Sequence, residues 1–93
     1  MNSKGICSEL IQFFEQALTG TRSQFVGVLV AREIATADDA NFWVDQFLRA
    51  GEEMGLIPSA DFGVLMETVV SVGRQRAVDN ARAIYEQLLK REI

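Results

Sequence analysis

The sequence predicts an all-α fold, a single-domain bundle of about four or five helices with a long helix at its C-terminus. Three observations carry that expectation. Apolar residues recur at three- and four-residue steps almost throughout the chain. No two segments alternate with the two-residue period that paired strands need. And 93 residues, 48% hydrophobic and 24% charged, suffice for one core and not two, so residues 1–93 read as one helical domain.

The first helix is marked by Ile6, Cys7, Leu10, Ile11, Phe14, Ala17 and Leu18, which share one stripe that Phe13 widens. Ser3 is the expected N-cap and Thr19-Gly20 the expected stop. The next segment, residues 25–35, has the β-branched content of a strand in Phe25-Val26-Gly27-Val28-Leu29-Val30. A lone strand would have no partner, so a helix capped by Ser23 and running through Ile34 is the favoured reading.

Thr36 opens the third helix, with Asp38 and Asp39 in the first turn at the positive end of the helix dipole. Ala40, Trp43, Val44, Phe47, Leu48 and Met54 trace its inner face. Gly55 ends it, Leu56 and Ile57 fold back on the last turn, and Pro58 blocks continuation. Ser59 is the expected cap of the following helix, whose inner face is Phe62, Leu65, Met66, Val69 and Val72. Beyond Gly73 the period resumes through Ala77, Ala81, Ile84, Tyr85 and Leu88. No proline or polar cluster intervenes, which favours one long, bent helix from about residue 60 to 91 over two.

Composition removes several functions. There is no histidine, hence no nucleophile–histidine pair and none of the commonest metal ligand. A single cysteine, Cys7, makes neither an internal disulfide nor a cysteine-based zinc cluster, and it lies on an apolar stripe as a small hydrophobe. A phosphate-binding loop of the Gly-Lys-Ser/Thr type is also missing. The expectation is a protein that is not an enzyme, uses no cofactor and resides in the cytoplasm, with neither a signal-peptide core nor a membrane span.

Charge is divided along the chain. Residues 1–73 carry four basic and ten acidic side chains, whereas residues 74–93 carry five basic and three acidic ones. An acidic body argues against non-specific nucleic-acid binding. Asp38, Asp39 and Asp45, with Glu52 and Glu53, make the third helix acidic on its outer face, which reads as a solvated surface more than a metal site. Arg74, Arg76 and Arg82 form the opposing basic group. Arg74, Gln75, Arg76 and Asn80 also resemble the side chains of a DNA-reading helix, after a turn at residues 69–73. Asp79 inside the patch weighs against that alternative.

Two further surfaces stand out. Gly27, Ala31 and Ala35, and likewise Gly73, Ala77 and Ala81, are spaced for close helix crossings. Phe14, Trp43, Phe47 and Phe62 belong on buried stripes, while Phe13 and Phe42 lie nearer stripe edges, where a partner can touch them. The reading is a small acidic protein-interaction module that binds another protein through Asp38, Asp39, Asp45, Arg74, Arg76 and Arg82. A helix-turn-helix-like regulator is the alternative. A homodimer is also expected, formed through Val78, Tyr85 and Leu89, a second apolar track on the last helix.

Overall fold

A computed structural model describes residues 3–15 and 20–92, with side chains described for residues 5–15 and 20–90. Five helices follow one another: α1 (Ser3–Glu15), α2 (Arg22–Ala31), α3 (Ala37–Glu53), α4 (Phe62–Val72) and α5 (Arg74–Glu92). No strand occurs among the described residues, so the chain is an all-α bundle with a long C-terminal helix. Helices α1, α3 and α5 pack on one another, α2 lies chiefly on α3, and α4 lies chiefly on α5.

The three central helices contribute one stripe each. Ile6, Cys7, Leu10 and Phe14 of α1 meet Val44, Phe47 and Leu48 of α3 and Ala77, Val78, Ala81, Ile84 and Leu88 of α5 in one core. The peripheral helices add Phe25 and Leu29 from α2, and Phe62, Leu65, Met66 and Val69 from α4. Phe25 links these two, stacking on Phe62 at 5.9 Å and meeting Phe13 edge-on at 5.6 Å. Each fully buried side chain of this size contributes about 1.5–3 kcal/mol.

The helix ends correct the sequence reading in instructive ways. Thr21, not Ser23, caps α2: its hydroxyl accepts from Gln24 N at 3.2 Å, while Gln24 Oε1 accepts from Thr21 N at 2.9 Å. That reciprocal pair is a capping box. The helix stops at Ala31, four residues before Ala35. Glu33 turns left-handed with φ 58°, donating to Val30 O, and Ile34 donates to Leu29 O. These two bonds make a Schellman turn without the usual glycine, so nothing in the residue types announced it. Ala35 consequently falls off the helix carrying Gly27 and Ala31, both of which are exposed.

Thr36 caps α3 as expected, accepting from Asp39 N at 3.2 Å. The helix closes on a second Schellman turn, with Gly55 at φ 72° and Leu56 donating to Gly51 O. Ile57 is buried and Leu56 half-buried, whereas Met54 leaves the inner face because it already belongs to the turn. Asp61, not Ser59, caps α4: Ser59 is spent on a tight turn that accepts from Asp61 N, and Asp61 Oδ2 accepts from Val64 N. The expected cap Ser3 is the first helical residue of α1. Its side chain, Ala17, Leu18 and the expected stop at Thr19 lie outside the described residues.

Residues 60–91 are two helices. Gly73 has φ 91° and ψ 158°, a region open essentially only to glycine. Its N–H bonds Val69 O to finish α4, and its carbonyl accepts from Ala77 N to start α5. One residue thus serves both ends, and Val72 beside the break is exposed. A Cβ on Gly73 would meet no atom within 4 Å, so its role is conformational and it takes no part in the expected close crossing, although Ala77 and Ala81 of that set are buried in the core. Gly73→Ala is therefore expected to cost about 1–3 kcal/mol in urea titration. Glu33→Gly, at the other positive-φ turn, is expected to stabilise by up to about 1 kcal/mol, because glycine carries no Cβ penalty there.

Candidate functional site

The basic group at the start of α5 is largely engaged within the molecule. Arg82 Nη2 meets Glu15 Oε1 at 3.1 Å and Arg74 Nη1 donates to the Glu15 carbonyl at 3.4 Å, so both tie α5 to the end of α1. Gln75 donates to Asp79 on its own helix at 3.1 Å. Asn80 is half-buried and lines an apolar crevice with Phe47, Ile57 and Ala81. Of the four side chains expected to read DNA, only Arg76 is exposed without a described partner. The turn before α5 is moreover a single residue, shorter than the three or four of a helix-turn-helix.

The acidic group divides similarly. Asp45 pairs with Arg22 Nη1 at 2.7 Å, and the same guanidinium donates to Asn41 Oδ1 and to the Asn41 carbonyl, both at 2.9 Å. This fork clamps the start of α2 onto α3, giving Asp45 a structural task. Asp38 is exposed and Asp39 half-buried in the first turn of α3. The structure does not bring the acidic triplet and the arginines into one site. Among the described residues, no group of three or more Cys, Asp or Glu side chains is placed to hold a metal ion. No helix is long and apolar enough to cross a membrane.

The second track of α5 is partly covered within the molecule. Val78 is 5% exposed and belongs to the core, while Tyr85 and Leu89 are half-buried. Val78 is covered because α5 packs on both α1 and α3, which needs a broader apolar face than one helix contact would. The total accessible surface, 5307 Å², is close to the roughly 5,400 Å² of a compact monomer of this mass.

Exposed apolar side chains lie elsewhere. Val70 and Val72 of α4 are 73% and 42% exposed, Val28 and Val30 of α2 are exposed, and Phe42 of α3 is 48% exposed with its ring edge-on to Trp43. Phe13, the other edge aromatic, is half-buried against Phe25. Cys7 is buried, as its stripe position predicts. Helix α4 carries one charged side chain, Glu67, in eleven residues.

An open groove of about 620 Å³ runs beside α4. Its floor is Leu56, Ile57 and Pro58 of the α3–α4 connection, and its far wall is Val64, Glu67, Thr68 and Ser71. Those four wall residues follow the i, i+3, i+4, i+7 rule and so form one face of α4, about 10 Å long. Glu52 stands on the opposite rim, with Oε2 accepting from Ala60 N at 3.1 Å. A second groove of about 460 Å³, lined by Val26, Gly27, Val30, Ala31, Ala37 and Asn41, follows the α2–α3 seam. Sequence reasoning missed the α4 groove because it followed only the inner face Phe62, Leu65, Met66, Val69 and Val72. The 64/67/68/71 spacing was the available signal.

No family model, curated protein or solved structure matches the chain.

Two measurements follow from these contacts. Arg22→Ala is expected to cost about 1–2 kcal/mol, because a charged donor with three acceptors is lost. Arg82→Ala, an exposed pair, is expected to cost less than about 0.5 kcal/mol. In an electrophoretic mobility assay at low salt, micromolar protein is expected to leave duplex DNA unretarded, as an acidic surface releases few counterions.

Proposed function

We propose that this chain is a small acidic interaction module that works by binding another protein. The observation that carries the reading is the outer face of α4. A helix that is apolar around its circumference is ordinarily buried on all sides. Helix α4 is nearly so, with Glu67 its one charge, yet Gly63, Glu67, Val70 and Ser71 share an exposed face and Val72 is exposed at the helix end. Scattered exposed valines are ordinary. A contiguous exposed face on an apolar helix is what a contact surface requires.

The balance of charge describes the partner. Ten acids against four bases in residues 1–73 favour a basic surface, since complementary charge speeds encounter and excludes wrong partners. The cytoplasm is the compartment most consistent with a lone, buried cysteine.

The test compares capture by two baits. Val70→Lys is expected to leave stability within about 0.5 kcal/mol of the parent, because the side chain is 73% exposed. Affinity capture from the source cell, followed by mass spectrometry, is expected to return a protein held by the parent and lost by this variant. Identical captures by both baits would overturn the reading. Sedimentation equilibrium on the isolated chain is expected to give 10.3 kDa at every loading. Twice that mass would assign the apolar face to a second copy instead.

A further inference from the structure

We infer that the groove between α4 and the α3–α4 connection receives an amphipathic helix of the partner protein, with a lysine or arginine lying between Glu52 and Glu67 and an apolar side chain on the Leu56–Ile57 floor. The inference rests on the interaction-module reading and adds the site and the chemistry of the occupant.

Three features of the groove select a cationic occupant. Helix α3 ends here, and its last turn holds Glu52 and Glu53 with no basic residue. Carboxylates at a helix C-terminus sit against the negative end of the dipole, the unfavourable end for them. Glu67 adds a second groove-lining carboxylate from α4 and has no ion-pair partner among the described residues. A positive side chain placed between Glu52 and Glu67 would be drawn to both.

Shape selects a helix of another protein over a small cation. The groove is an open trough, and a small ligand in it would stay largely in water, unlike ligands in enclosed pockets. Its α4 wall is a ridge at helical spacing, which matches the grooves between side-chain rows on a second helix. The floor is apolar, with Ile57 buried and Leu56 half-buried, so an aliphatic anchor beside the cation completes the fit. Anchors at i, i+3 and i+4 with a basic flank are the pattern such a groove reads.

The experiment uses the 93-residue chain and a labelled helical peptide with leucines at three- and four-residue steps and lysines elsewhere. A second peptide replaces every lysine with glutamate. Fluorescence anisotropy at physiological ionic strength is expected to show binding of the lysine peptide only. Glu67→Lys and Ser71→Trp are each expected to weaken it at least about tenfold, the first by charge and the second by filling the trough. Asp38→Lys makes the same charge change outside the groove and is expected to weaken it less than about threefold, as screening limits distant charges. Amide shifts of the parent with the peptide are expected at Leu56, Val64 and Ser71. Equal losses for Asp38→Lys and Glu67→Lys, or shifts centred on the α2–α3 seam, would overturn the groove while leaving the interaction reading in place. No binding of the lysine peptide would overturn the groove as well. That outcome is distinguishable from failure of the broader reading, which the Val70→Lys capture decides separately.

Discussion

The missing side chain at Gly51 is the constraint on which the rest of the architecture turns. A Cβ there would stand 3.0 Å from Ile84 Cδ1 and 3.1 Å from Ile57 Cδ1, tighter than ordinary van der Waals contact. Three parts of the chain therefore converge on one point: the last turns of α3, the middle of α5 and the connection to α4. The Gly51 carbonyl also accepts from both Leu56 N and Ile57 N, at 2.9 and 3.3 Å. Chain reversal after α3 and docking of α3 on α5 are thus built on the same residue. The position of Ile57, and with it the floor of the α4 groove, depends on that close approach.

From this point the layout of the bundle follows. Helix α3 must serve α1, α2 and α5 together, which explains why Trp43, Val44, Phe47, Leu48 and Ala50 are all buried on a helix whose remaining face is acidic. Helix α5 likewise serves α1, α3 and α4, and Val78 and Tyr85 of its second apolar track pack in or against the core while Leu89 is half-buried. Part of the apolar width on which a dimer is expected thus bridges neighbours within the molecule. The arginines at its start complete the same work at the surface, where Arg74 and Arg82 both reach Glu15.

Much of the fold was legible because the stripes of α1, α3 and α5 are regular and long. Thr36 and Gly55 carry residue types that match their roles, and both act as read. The misreadings cluster where a residue does a job its type does not advertise. Glu33 occupies a left-handed turn that glycine usually fills, so the sequence carries α2 through Ile34 whereas the structure stops it at Ala31. Thr21 and Gln24 did advertise a capping box, and Ser23 beside them was the distractor. Gly73 was seen as a question of continuity, but only its φ and ψ decide for a break. Gly51, in the last turn of α3, looks like a mild liability until Ile84 and Ile57 are placed against it. Candidate surface charges were legible as charges, not as partners. Arg22–Asp45 and Arg82–Glu15 join residues 23 and 67 positions apart, and no local pattern encodes such separations.

Helices α2 and α4 show how an apolar outer face is kept without being needed for folding. Each is held by its ends and one inner face. For α2 these are the capping box, the Glu33 turn, the Arg22 clamp and the buried Phe25 and Leu29. For α4 they are the Asp61 cap, Gly73 and the row Phe62, Leu65, Met66 and Val69. Replacing Val70 with a polar residue would remove no contact among these. A helix stabilised in this way could carry lysine and glutamate outward, as most surface helices do. That α4 carries Gly63, Val70 and Ser71 there, with Glu67 its one outward charge, is a feature the fold does not require. The proposed contact with a basic, apolar partner would give those residues a physical reason.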